Sequence, residues 1–270
     1  MNADILIHMN YPKIHLLNFR DLGGMKTKDG KTIKYGYLFR SAQPGLGIDN
    51  ETIEGIEELK LDTIFDLRDP ETVNGRVDYK FQYIDNVNLS VLNEIDPSFR
   101  NGELDFEAID VAAWDYSHPT RKDFHHKYLE YLKLYKEIPF SMAFEKIFEA
   151  LDEHERILVH CQGGKDRTGI FFFILLHALG VNEKEILNDY LLSNVARKDK
   201  NKLRIDEAFN RSGKPYCAHC MRKLVVVEKR YYKICMNSIL KQYGTFDDFL
   251  VKHFHITPER LKNWKDFYLG

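Results

Sequence analysis

Residues 155–170, ERILVHCQGGKDRTGI, constrain this chain more than any other stretch. Ile157, Leu158 and Val159 form a short apolar run of the kind a buried parallel strand shows. A tight loop from Cys161 to Arg167 follows, with two adjacent glycines, Gly163 and Gly164. Thr168 and Gly169 then lead into Ile170–Leu179, which is apolar except at His177. Strand, tight loop and buried helix in that order predict an α/β fold with a mostly parallel central sheet flanked by helices. The loop then lies at the C-terminal edge of the sheet, where such folds bind ligands. Free amides and the helix dipole both point into it, so its natural occupant is an oxyanion.

Cys161 and Arg167 add chemistry to that cradle. Five residues separate them, enough for the amides of Gln162, Gly163, Gly164, Lys165, Asp166 and Arg167 to ring one tetrahedral anion. The sulfur then sits beneath the anion, and the guanidinium grips two oxygens in a planar fork. A free thiol titrates near ~8.5, whereas one at a helix N-terminus beside cations falls to roughly 3.5–7.5. Cys161 is therefore expected as a thiolate that attacks phosphorus and forms a cysteinyl-phosphate. Thr168 is placed to donate a hydroxyl hydrogen bond to that sulfur, and His160 to orient the loop. The plainer reading, Cys161 as a small buried hydrophobe, explains neither the arginine spacing nor the glycines.

The run from His160 to Gly169 resembles the signature of the protein tyrosine phosphatase superfamily, in the form found in the atypical bacterial tyrosine phosphatases of the Listeria LipA and mycobacterial PtpB group. Asn18–Gly24 (NFRDLGG), Leu38–Ser41 (LFRS), Thr63–Pro70 (TIFDLRDP) and Asp189–Asn194 (DYLLSN) resemble that group too. The resemblance spans most of the chain and is least secure over residues 200–235. It implies a cysteine-phosphatase-type sheet and no metal or other cofactor. Through the Lys165-Asp166 pair it also implies broad specificity, covering phosphoinositides as well as phosphotyrosine and phosphoserine or phosphothreonine.

Composition excludes several other classes. Of the 270 residues, 44% are hydrophobic and 30% charged, ordinary for a globular chain. A net charge of −2 offers no global attraction to nucleic acid. The N-terminus lacks a basic region followed by a long apolar core, and the run from Ile170 to Val181 is too short for a membrane span. A cytoplasmic protein is expected, or an exported one if a leader has been removed. Cys217, Cys220 and Cys235 are expected to be reduced and structural. Cys217-Ala-His219-Cys220 offers half of a zinc motif, with no second pair after it.

Elsewhere the pattern gives a hairpin around Lys28–Lys31, a helix opened by Asp49 or Asn50, and helices over about 121–137, 140–151 and 182–193. The aromatic stripe Phe124, Tyr128, Tyr131, Leu132, Tyr135 suggests core packing. Arg40, Asp66 and Arg68 end short strands and so converge with Cys161, where substrate contact and a buried Asp–Arg pair that holds loops together are compatible readings. Residues 197–233 hold twelve Lys or Arg against four acids, an excess of eight positive charges. A basic helical insertion of about 197–235 within a single phosphatase domain is expected. Its face is either solvated or turned to an anionic membrane or substrate.

Ester cleavage also needs a group to handle the proton. Asp166, inside the loop as in the myotubularin lipid phosphatases, is the first choice. Asp115, which follows Trp114 and lies 46 residues before Cys161, is the second, though the proline of mobile acid loops is missing between the two. A rhodanese also carries a cysteine in such a loop, but the Arg167-Thr168-Gly169 helix entry fits a phosphatase better. A non-catalytic reader of phosphorylated protein or lipid is the other alternative.

Overall fold

The computed structural model describes residues 10–69, 77–92 and 121–270, with backbone alone at 121–124, 126 and 127. Five strands form one sheet: β1 (Arg20–Asp21), β2 (Leu38–Ser41), β3 (Thr63–Asp66), β4 (Asp85–Asn88) and β5 (Ile157–His160). Their spatial order is β1-β2-β5-β3-β4, antiparallel only between β1 and β2. β5 is central, as its unbroken apolar run requires, and every residue of β2, β3 and β5 is buried. Ser41 and Asp66 lie in register with His160 on either side, so three strands end together just below Cys161.

Side-chain alternation divides the core into two layers. Leu38, Phe65, Ile157 and Val159 face the larger one. Phe39, Ile64 and Leu158 face a smaller one with Ile14, Phe19 and Ile56, covered by α1 (Asn50–Glu58). Asp49 caps α1 by accepting from the Thr52 amide at 2.7 Å. On the larger side lie α2 (Arg121–Glu137), α3 (Phe144–Asp152), α4 (Arg167–Ala178) and α5 (Glu183–Ala196). α4 has almost no polar face and is buried from Arg167 to Leu176, as a helix apolar all round should be. No described helix is long and apolar enough to cross a membrane.

The helix expected over 140–151 starts later. Pro139 sits in a 3-10 turn, Ile138–Phe140, and α3 opens only at Phe144, which leaves Met142 exposed. The basic stretch also divides. α6 (Lys198–Ser212) and α7 (Pro215–Val225) pair through a small cluster of Ala208, Cys217, Met221 and Val225. α8 (Lys229–Tyr243) instead puts Tyr231, Tyr232, Cys235 and Ile239 into the main core, beside α9 (Phe246–Phe254) and α10 (Pro258–Tyr268). The bland expectation for Cys217 and Cys235 thus corresponds to two apolar packing sites.

Arg197 and Arg204 point inward, at 1% and 8% exposure, and are no part of a surface patch. On α6, Lys202 pairs with Asp206 and Arg211 with Glu207 one turn apart, so part of the counted positive charge is balanced within the helix.

Candidate active site

Cys161 leaves the C-terminal end of β5 and is buried, with 3% exposure. The loop behind it is held by its carbonyls. Asn18 Nδ2 donates to Gly163 O at 3.1 Å and to Gly164 O at 2.9 Å. Arg197 Nη1 donates to Gly163 O at 3.0 Å, and Arg40 Nη2 to Gly164 O at 2.8 Å. A trans peptide sets each C=O opposite the following N–H. With these carbonyls drawn to one side, the amides of Gly164 and Lys165 turn to the other.

Two backbone positions make this possible. Asn18 adopts φ +61°, a conformation asparagine tolerates better than most residues. Gly164 has φ +63°, and a Cβ there would lie 2.1 Å from Ser41 O. Gly164→Ala is therefore expected to cost at least ~1–2 kcal/mol in backbone strain alone. Displacing the loop should also lower turnover ~100-fold. Thermal melting and nitrophenyl phosphate hydrolysis check both, and a fully active variant with unchanged melting would overturn the packing account.

Beneath the loop, Asp189 on α5 receives Arg20 Nε at 2.5 Å and Arg40 Nη1 at 2.6 Å. Arg20 Nη1 also reaches Asn18 Oδ1 at 2.7 Å, so the ion cluster orients the residue that pins the loop. Burial raises the Asp189 carboxyl, but Arg20 and Arg40 outweigh it and hold the group below the usual carboxylate range. Burial pulls Arg40 down to about 10, which leaves it charged at neutral pH. Its guanidinium also lies over the Phe172 ring at 5.4 Å.

Arg167 opens α4 and donates through Nη1 to Asp69 Oδ2 at 3.2 Å and to Leu67 O at 3.4 Å. Asp69 is itself fixed by accepting the Leu92 amide at 2.9 Å. Gln162 Nε2 donates to Gln43 Oε1 at 2.8 Å. Thr168 is fully buried, and its Oγ1 has no hydrogen-bond partner among the described residues. A buried hydroxyl in that state costs stability, and the sulfur or a bound anion would supply what it lacks.

Asp166 and Lys165 face outward from the loop onto α2 and α7. Tyr131 OH donates to Asp166 Oδ1 at 2.8 Å, Tyr135 OH donates to the same oxygen, and Lys165 Nζ lies 2.8 Å from Oδ2. Tyr190 OH is 2.7 Å from Tyr135 OH. Burial, then the Asp166 charge, raises all three phenols well above their ordinary values, so they act only as neutral hydroxyls. Lys165 is not a mobile charge at a pocket wall. It is 2% exposed and fully engaged.

Asp66 and Arg68 form the buried ion pair expected of them. Arg68 Nε and its amide both donate to Asp66 Oδ1, at 2.8 and 2.9 Å. Ligating atoms of Asp66, Asp78 and His160 lie within 4.8 Å of one another, the geometry of a small cation site. The Arg68 guanidinium, 2.7 Å from Asp66 and 2.5 Å from Asp78, already supplies positive charge there. Burial lowers the His160 imidazole, so it stays neutral, with Nδ1 3.3 Å from Cys161 O.

Burial and the neighbouring Asp66 push Asp78 up to about 7. Because the folded state raises this carboxyl, its protonated form contributes stability below ~3.9, and that contribution is lost as pH rises toward 7. Asp78→Asn is therefore expected to raise stability at pH 8 by on the order of 1 kcal/mol, with the gain vanishing near pH 4–5. Melting curves across pH check this, and an equal effect at both ends would refute it.

Asp115 and Trp114 lie outside the described residues. Arg197 has a site role that no motif announces, and the family-like segments that hold Asn18, Arg20 and Asp189 do not say what those residues do. Only φ and long-range pairing reveal them, across separations of up to 169 residues for Arg20 and Asp189.

A family model described as "Tyrosine phosphatase family" matches residues 12–270. A Cupriavidus necator protein named "Putative tyrosine-protein phosphatase" is 28% identical over 247 residues, covering 91% of this chain and 84% of that protein. A tyrosine-protein phosphatase of Nostoc commune is 41% identical over 54 residues, 20% of this chain and 18% of its own.

Proposed function

This chain belongs to the tyrosine phosphatase family, and we propose that it hydrolyses phosphotyrosine through a cysteinyl-phosphate on Cys161. The observation that carries this reading is the pinning of the Gly163 and Gly164 carbonyls by Asn18, Arg40 and Arg197. It supports the reading because amides opposite the pinned carbonyls are left for an oxyanion.

In the first step Cys161 Sγ attacks phosphorus in line, the S–P bond forms, and the P–O bond to the tyrosyl oxygen breaks. That oxygen takes a proton and leaves as the phenol. In the second step water attacks phosphorus, gives up a proton, and expels the sulfur as inorganic phosphate departs. The loop amides and Arg167 stabilise the charge on the transferring oxygens. Thr168 Oγ1 donates to the departing sulfur. Asp166 is assigned the proton in both steps. Its Oδ1 accepts from two tyrosines and its Oδ2 pairs with Lys165 Nζ at 2.8 Å, so the carboxyl has to turn from these partners toward the anion to act. No step requires a metal ion.

The test is phosphate release from phosphotyrosine peptide, phosphoserine peptide and short-chain phosphoinositides, with vanadate and a chelator as controls. Release from phosphotyrosine, blocked by vanadate and indifferent to chelator, is expected. Faster release from phosphoinositides would move the substrate class to lipid. Absence of release from every substrate, with binding retained, would make the protein a reader of phosphorylated ligands. Asp166→Asn should lose more rate on poor leaving groups than on nitrophenyl phosphate. If Asp115→Asn shows that pattern instead, the proton assignment is wrong.

A further inference from the structure

Lys165 sits in the catalytic loop, where a cation invites the role of binding a second phosphate, yet its ammonium is already used up. An ammonium has three protons and no acceptor. Lys165 Nζ meets three acceptors: Leu224 O at 2.8 Å, Asp166 Oδ2 at 2.8 Å and Tyr131 OH at 3.3 Å. The Tyr131 ring lies 5.3 Å from the same charge, and the whole side chain is 2% exposed. Leu224 belongs to the last turn of α7, so the charge also meets the negative end of that helix dipole.

We propose that Lys165 is a positioning residue, one that clamps the catalytic loop to α2 and α7 and holds Asp166 in place, and that it gives no affinity for a second phosphate. Reaching outward to such a group would break three contacts at once and leave Asp166 Oδ2 and the α7 carbonyl without their donor. The clamp joins the loop to the α6–α7 hairpin, so the position of that hairpin bears on catalysis although neither helix supplies a reacting group. The specificity consequence is direct: substrates with one phosphate and with two gain equally from this loop.

The effect on turnover rests on the phosphatase reading, whereas the clamp and the anion affinities are measured without turnover. Calorimetry gives Kd for inorganic phosphate and for pyrophosphate, and hydrogen exchange reports on residues 215–225, in wild type, Lys165→Met and Tyr131→Phe. In Lys165→Met the ratio of the two Kd values should stay within about twofold, and protection in the last turn of α7 should fall about tenfold. Turnover of nitrophenyl phosphate should drop ~10–100-fold, as displaced catalytic geometry requires. Tyr131→Phe keeps the lysine charge, removes one of its acceptors and one of the two phenol donors to Asp166, and should move protection and turnover the same way by less. It also serves if Lys165→Met does not fold. The proposal is overturned if pyrophosphate weakens tenfold more than phosphate, or if α7 exchange is unchanged in both variants.

Discussion

Cys161→Ser should lower phosphate release by roughly 10⁴-fold or more, the scale on which enzymes lose rate when the nucleophile itself is removed. The hydroxyl is close in size to the thiol, and the loop proposed to bind the anion is held from outside, by Asn18, Arg40 and Arg197. The variant should therefore fold as wild type does and still bind phosphotyrosine peptide. The pairing of retained binding with lost turnover distinguishes a nucleophile from a residue that merely shapes the pocket. Acid quenching of the wild type during turnover should leave phosphate covalently on Cys161, and none on the serine variant. If Cys161→Ser keeps even a tenth of the activity, the cysteinyl-phosphate proposal fails whatever the family.

The parts of this fold that the sequence announces are those set by short-range periodicity. β5, the loop and α4 are legible because an apolar run, two glycines and a second apolar run follow one another without interruption. α2 is legible from the spacing of Tyr128, Tyr131 and Tyr135, but periodicity identifies a face and not the end of a side chain. The same tyrosines that pack the core also place their hydroxyls on Asp166, and no spacing rule distinguishes a buried phenol with a task from one without. Arg197 and Arg204 show the converse. Counted as charge, they belong to a basic surface, whereas Arg197, just before α6, and Arg204, within it, are both buried. Asp189 is apparent only as part of a family-like helix until the fold carries it beneath Gly164, beside arginines from β1 and β2.

That position gives Asp189→Asn the largest expected effect on stability. Arg20, Arg40 and Asp189 have side-chain exposures of 5%, 0% and 7%. Removing the one carboxylate leaves two guanidiniums facing each other away from water. Breaking a buried ion cluster in this way typically costs ~3–5 kcal/mol, because the charges left behind keep their desolvation penalty and lose its compensation. Asparagine preserves the volume and one acceptor oxygen, so the loss measures charge rather than packing. Urea unfolding should show a lowered midpoint with an unchanged slope, since the surface exposed on unfolding is the same. The wild type should lose this contribution only as pH falls through the lowered Asp189 value, because its folded carboxyl lies below the ordinary one. A loss under ~1 kcal/mol would mean that water or another group already compensates Arg20 and Arg40. Catalysis should suffer even where the variant remains folded. Arg40 holds Gly164 O and Arg20 orients Asn18, so an unbalanced cluster lets go of the carbonyls that orient the loop amides.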